Sequence, residues 1–372
     1  MDGLMVLILA LVMIPAFLMV MLTPYITRKT ESFGVSIPEA LYDDHRLKKM
    51  RRAYLVRTGI LAIPIFLMIT FLIVGLLGEY NEQFIGVLFT VFIFIYIVGS
   101  FLIYFSFHRK MKQMKKDENW KANRKQQVVI DTAFHQKKKI HSNGWLVIPA
   151  LLIGVTLIIT FFQYDRIPER IPMQFSFSGE VTKWADKSLK SVLLLPAMQF
   201  FLLVLFGLVN TVIGRSKQQI NAENPERSAE QNRLFRRRFS AFMMVSATLM
   251  VMLFGLIQLS FIYSLDNTMI GYGTIGLSGI IIIGAIILSL KTGQGGSRIK
   301  VNVEDKDGNM IDRDDDRYWK LGQIYVNRND PAMFLEKRFG VGWTVNVAHP
   351  LVWILFLGLI AISVGLPLWL GT

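Results

Sequence analysis

Residues 164–190 read YDRIPERIPMQFSFSGEVTKWADKSLK, a polar island between two long apolar runs. Pro168 and Pro172 bar a regular helix there, because each lacks an N–H and pushes its predecessor (Ile167, Ile171) toward extended backbone. Met173, Phe175 and Phe177 then alternate with Gln174, Ser176 and Ser178, and Gly179-Glu180 offers a turn. That pattern predicts a short strand or hairpin. The flanking runs, Trp145–Phe162 and Val192–Ile213, carry no charge and have the length of membrane spans.

The same alternation continues in both directions. Mean hydropathy is +0.42 and 52% of the 372 residues are hydrophobic, gathered in blocks rather than at core periodicity. Further spans are expected at Met1–Ile26, Gly59–Gly78, Phe84–Phe107, Phe242–Tyr263, Ile270–Leu290 and Leu351–Leu370. The fold class is therefore an all-α integral membrane protein of about eight transmembrane helices, with a small β-containing module before the last one. Met1–Ile26 lacks the basic start of a cleaved leader: its early charge is Asp2, and Arg28 and Lys29 follow the run. An uncleaved first span with the N-terminus outside is expected. The chain divides into a three-helix region (1–143), a membrane core with the outer loop 164–190 (144–291), a small cytoplasmic module (292–349) and a last helix (350–372).

Charge sets the orientation. Segments 27–57, 107–143, 214–240 and 291–349 hold 8, 11, 7 and 10 Lys/Arg, which is 36 of the 41, and the island holds the other five. Placing those four segments in the cytoplasm satisfies the positive-inside rule and puts both termini and the island outside. The inner side then nets +17 and the outer −3, so the overall +14 needs no nucleic acid. The lipid bilayer accounts for it, since basic juxtamembrane segments attract anionic headgroups.

Between the spans, Ser36-Ile37-Pro38-Glu39 reads as a capping box opening a helix that runs into the second span. Segment 108–143 has enough apolar content for a helix on or beside the bilayer. Gly273, Gly276 and Gly279 recur every three residues and suit close helix packing. After span seven, GQGGS (293–297) reads as a flexible linker, and Ile299, Val301 and Val303 alternate before a hairpin signature at 305–309. Short strands are expected at 323–326 and 343–347. The acidic run from Asp305 to Asp312 departs from a calcium loop: Met310 stands at the glycine position, and a closing glutamate is missing at the required offset.

Catalytic chemistry finds little footing. There is no cysteine, the five histidines lack metalloprotease spacing, and nucleophile-elbow and P-loop motifs are missing. No enzymatic activity, metal or cofactor is expected. Apart from Asp2 at the very start, the proposed spans hold no Asp, Glu, Lys, Arg or His, which weighs against an ion-coupled transporter. The most polar residues at membrane depth are Gln199, Asn210 and Gln258, suited to hydrogen bonds between helices or to a permease seam.

The island resembles the signature of a bacterial family of uncharacterised membrane domains, whose best-known relatives are immunity proteins against a sporulation-delaying peptide toxin. Ile167, Pro168, Ile171, Pro172, Phe175, Gly179, Trp184, Lys187 and Pro196 stand at matching places, whereas Gln174 and Ser176 replace the usual histidine and asparagine. The stretch Tyr318–Asn346 also resembles a small uncharacterised domain that accompanies this membrane unit in Gram-positive bacteria. The resemblance implies a toxin-immunity or signalling protein of the bacterial plasma membrane, with some relatives sequestering a cytoplasmic repressor. The expected ligand-binding residues are Arg166, Pro168, Arg170, Pro172, Gln174, Phe175, Gly179, Glu180, Trp184 and Lys187, facing an extracytoplasmic peptide or envelope component. A cytoplasmic regulator is the expected inner partner. A permease or exporter subunit for an apolar or peptide solute, and an accessory scaffold of another membrane complex, are the alternatives.

Overall fold

The computed structural model describes residues 2–75, 82–118, 120, 125–127, 139–175, 181–221, 224–263, 265, 267–301, 310–312 and 316–370. Its helices are α1 (Asp2–Ile26), α2 (His45–Gly75), α3 (Glu82–Asp117), α4 (Val147–Phe162), α5 (Leu189–Arg215), α6 (Pro225–Tyr263), α7 (Asn267–Thr292) and α8 (Pro350–Leu370). Seven of them, α1 to α7, contain stretches long and apolar enough to cross a membrane, and α8 carries a shorter one, Pro350–Gly365. The chain is a multi-pass membrane protein. Helices are the form such runs take because hydrocarbon offers backbone N–H and C=O groups no partner outside the segment. Ile60, Phe94, Leu151 and Ile354 are each more than 60% exposed, an arrangement that suits lipid as the surrounding solvent.

Helix α6 lies at the centre, packed on α4, α5 and α7, while α1 joins α7 to the α2–α3 pair. One apolar cluster (Met13, Phe17, Ile65, Ile69, Tyr96) fills the α1–α2–α3 interface at membrane depth. A second, built on Phe33, Leu47, Tyr54, Tyr104 and Phe107, closes the end where the basic segments gather. We call this the basic end. Of the glycines in α7, Gly273 and Gly279 face Leu256 and Leu11, but a side chain at Gly276 would meet open space.

All described strands form two-stranded pairs. They are β1 (Glu31–Ser32), β2 (Val35–Ser36), β3 (Lys125–Gln127), β4 (Arg170–Phe175), β5 (Val181–Asp186), β6 (Met310–Asp312), β7 (Trp319–Lys320), β8 (Ile324–Tyr325), β9 (Phe334–Glu336) and β10 (Trp343–Val345). The island is the antiparallel hairpin β4–β5, as its alternation predicts. The strands expected near 323–326 and 343–347 are β8 and β10.

Three local expectations differ. Ser36 is no helix cap: it lies in β2, Ile37 N–H donates to Thr30 C=O at 2.9 Å, and α2 starts only at His45. The Glu39 carboxylate accepts from Asn221 Nδ2 at 2.6 Å instead. The glycine-rich segment 293–297 is not a flexible linker but a buried turn on α6, with Gln294 fully buried. Its glycines serve positive φ and close approach: a Cβ on Gly295 would strike the Arg28 guanidinium, and one on Gly296 the Gln231 carbonyl. Ile299 and Val301 lie outside any strand, the hairpin signature at 305–309 lies outside the described residues, and β6 pairs in parallel with β3. The helical expectation for 108–143 holds through Asp117, where α3 ends, but Lys125–Gln127 is the strand β3.

Candidate functional site at the basic end of the bundle

The densest polar constellation surrounds Glu336, at the end of β9. Lys217, just past the end of α5, donates its backbone N–H to Phe334 C=O at 2.9 Å, which lays β9 across the helix ends. Glu336 is fully buried and its two carboxylate oxygens are divided among three donors. Oε2 accepts from Arg28 Nη2, while Oε1 accepts from Arg236 Nη2 at 3.0 Å and Asn232 Nδ2 at 2.6 Å. A carboxylate removed from water must be paired and hydrogen-bonded at both oxygens, and this one is.

Arg236 also has no exposure and is saturated. Nε donates to Asn232 Oδ1 at 2.7 Å, and Nη1 to Ile213 C=O at 2.7 Å, Ser216 C=O at 3.0 Å and Ser216 Oγ at 2.9 Å. Helix α5 ends at Arg215, so these carbonyls include the ones its last turn leaves without intrahelical donors. Arg28, beyond the end of α1, reaches Gln219 Oε1 at 2.9 Å with its other nitrogen. The Arg28–Glu336–Arg236 triad thus ties the ends of α1 and α5 and the first third of α6 to the chain ahead of α8.

The residues that follow reach further elements in turn. Arg338 pairs with Asp316, lies 3.8 Å from Glu31, and sets its guanidinium 5.1 Å from the Trp319 ring. Asp316 also accepts from Lys115 of α3 at 2.6 Å. Burial alone would raise the Asp316 pKa, but the charges and hydrogen bonds of Arg338 and Lys115 prevail and lower it to about 2. Phe339 sits among Phe33, Tyr54 and Tyr104, with centroids 5.9, 6.0 and 4.6 Å away. Gly340 N–H donates to Thr27 Oγ1 at 3.0 Å. Gly342 exchanges two hydrogen bonds with the Gln294 amide, at 2.7 and 2.9 Å, and the Trp343 ring packs tilted against Phe235 and edge-on against Phe239 of α6. Nine consecutive residues, 335–343, therefore act as a keystone. Backbones meet closely beside it: a Cβ on Gly34 (φ +76°) would strike the Gly322 carbonyl and the Tyr104 hydroxyl.

At the opposite end, Ile167 and Ile171 of the island bury against Val192 of α5 and Ile262 of α6. Register pairs Arg170 with Asp186 and Pro172 with Trp184. Arg170 and Trp184 are exposed, as are Arg166, Pro168 and Gln174, whereas Pro172 and Lys187 are half-buried. Lys187 lies 4.9 Å from the Tyr164 ring centroid and 3.6 Å from Glu169. Phe175 ends β4, but its side chain, Gly179 and Glu180 lie outside the described residues. The exposed expected residues thus gather on the hairpin and on the turn that leads into it, with Ile167 and Ile171 turned to the helices.

The three amides at membrane depth are fully buried and join helices. Gln199 Nε2 donates to Val251 C=O at 2.8 Å. Asn210 donates to His141 C=O and Asn143 Oδ1 and accepts from Ser240 Oγ at 2.6 Å. Gln258 Nε2 donates to Thr160 Oγ1 at 3.3 Å and Val192 C=O at 3.2 Å. Val192 needs that donor because the residue four positions on, Pro196, has no N–H for it. Oε1 of Gln199 and of Gln258 has no protein partner.

Sequence reasoning missed Arg28, Asn232, Arg236, Asp316, Glu336 and Arg338. One signal was present: Asn232, Arg236 and Ser240 recur every four residues in α6, beside Phe235 and Phe239, placing a polar stripe on the face the helix buries. Among the described residues, no group of three or more His, Cys, Asp or Glu is placed to hold a metal ion.

Comparison with known proteins separates the two ends. A domain of unknown function (DUF1648) matches residues 151–200, from α4 through the hairpin into α5. A family of unknown function (DUF5808) matches residues 328–353, which contain β9, β10 and the entire keystone. No curated protein and no solved structure matches the chain. The chain is thus similar to two uncharacterised families, one over each of its two candidate sites.

Proposed function

We propose that this is a non-enzymatic protein of the bacterial plasma membrane that senses or neutralises a peptide or envelope component with its outer hairpin and engages a cytoplasmic regulator at its basic end. In this reading α8 is an eighth span, both termini lie outside, and the protein acts in toxin immunity or envelope signalling. The observation that carries it is the course of α6. This 39-residue helix touches the hairpin through Ile262 at one end and holds Glu336 through Asn232 and Arg236 near the other. A displacement of the hairpin thereby has a rigid route to the keystone. The resemblance of the island to immunity proteins supports the same reading.

The test uses intact cells challenged with a panel of antimicrobial peptides. The pair Arg170→Ala and Trp184→Ala, both exposed, should abolish protection while membrane insertion stays normal; full protection with the pair in place would end the proposal. The absence of native cysteine makes topology direct to read. An impermeant thiol reagent should label Thr182→Cys and spare Lys320→Cys. A permease reading rests on the unpartnered Oε1 atoms of Gln199 and Gln258, and predicts solute flux that is lost when both become leucine.

A further inference from the structure

Beside the keystone, outside its buried pairs, a cleft of about 650 Å³ opens between the last turns of α3 and the loop 316–321. Helix α3 contributes Arg109, Lys112 and Lys116, and the loop contributes Arg317 and Lys320. All five are exposed at the surface. The lining acids are Asp117 and Asp316, and Asp316 is already shared by Lys115 and Arg338. Among the described residues, no ion pair engages any of the five cations; Asp314 and Asp315 lie outside them.

The cleft's position along α3 bears on what it could hold. Ile97, Phe101 and Leu102 present exposed apolar surface, Phe105 forms the upper wall of the cleft, and Arg109 follows one turn later, about 6 Å along the axis. Acyl chains lying on the apolar stretch would bring their headgroup to the level of Arg109. From Arg109 to Lys116 the cations extend about 10 Å along the helix, with Arg317 and Lys320 facing them from the loop. One phosphate is too small to reach cations spread over that length of helix. Basic pockets at the membrane boundary are suited to anionic headgroups, through charge and through the hydrocarbon held next to it.

We propose that this cleft is a specific site for an anionic phospholipid with more than one phosphate in its headgroup. The bilayer as a whole holds the helices; this site selects a lipid and sets it against the loop that supplies Asp316 to the keystone.

The test uses the full chain purified in detergent and titrated with phosphatidylcholine vesicles containing cardiolipin, phosphatidylglycerol or no anionic lipid. Inorganic pyrophosphate serves as the soluble competitor. Lys112→Gln with Lys116→Gln removes two exposed cleft charges, and Lys49→Gln with Arg52→Gln removes two exposed charges from α2 as a control. The expected result is a preference for cardiolipin that falls about 30-fold in the cleft pair and less than about threefold in the control. Arg317→Gln with Lys320→Gln should reproduce the loss, which guards against damage confined to α3. Equal losses in cleft and control pairs would reduce the effect to surface charge and overturn the site. Pyrophosphate binding without any vesicle preference would assign the cleft to a soluble phosphate and overturn the lipid.

Discussion

Replacing Glu336 with alanine removes the carboxylate that faces the Arg28 and Arg236 guanidiniums. Breaking a buried ion pair from one side costs about 3–5 kcal/mol, because the remaining charge is left without compensation. Arg236 would retain Asn232 Oδ1, three backbone carbonyls and the Ser216 hydroxyl, which places the expected loss near the lower bound, about 3 kcal/mol. At about 2 °C per kcal/mol for a chain of this size, melting should fall by roughly 6 °C. Tryptophan emission is the natural probe, since Trp343 packs on α6 seven residues beyond Glu336. Glu336→Gln keeps an acceptor for Asn232 but no charge, and should lie between alanine and the parent. Glu336→Met combined with Arg236→Met should lose less than the sum of the two single changes, because well-packed apolar groups substitute better for an ion pair than half of one does. If Glu336→Ala melts within about 2 °C of the parent, the carboxylate does not hold the helix ends together and the keystone account is wrong.

Two further predictions concern other parts of the molecule. The Asp316 pKa is lowered to about 2 from an ordinary value of 3.8, so its contribution is fully present above about pH 4 and is lost as pH falls through 2; Asp316→Asn should be less stable at neutral pH and lose that acid dependence, as followed by melting across pH 2 to 6. Gln258→Leu should cost about 1 kcal/mol by leaving Val192 C=O without a donor, and less in a Pro196→Ala background where the backbone N–H returns; equal costs in both backgrounds would exclude Pro196 as the reason for the amide.

The membrane helices and the hairpin were legible in the sequence because both follow from local patterns, unbroken apolar runs in one case and alternation after paired prolines in the other. The keystone was not, because its partners lie far apart in sequence: Glu336 is 100 residues from Arg236 and 308 from Arg28. In the letters, the glutamate belongs to LEKRFG, indistinguishable from a solvated charged turn. The capping box failed for a similar reason, since Ser36 and Glu39 had better partners in a strand and in Asn221 than in each other. The glycines at 293–296 carried the right information under the wrong reading. They permit positive φ beneath Arg28 and Gln231, and positive φ looks the same in sequence as flexibility.

The proportion of charges in the triad follows from the helices that surround it. Two arginines on one glutamate leave one positive charge buried, which would be costly in an apolar setting. Here the excess lies where α5 ends and beyond the end of α1, and the carbonyl ends of helices carry a partial negative charge that favours cations. Arg236 touches Ile213 C=O and Ser216 C=O directly, so the macrodipole acts on it at hydrogen-bond distance. Glu336 also keeps the two guanidiniums compatible, since without it two cations compete for the same helix ends. Withdrawal of β9 would therefore leave the Arg28 and Arg236 guanidiniums to repel each other as well as release the segments they tie together.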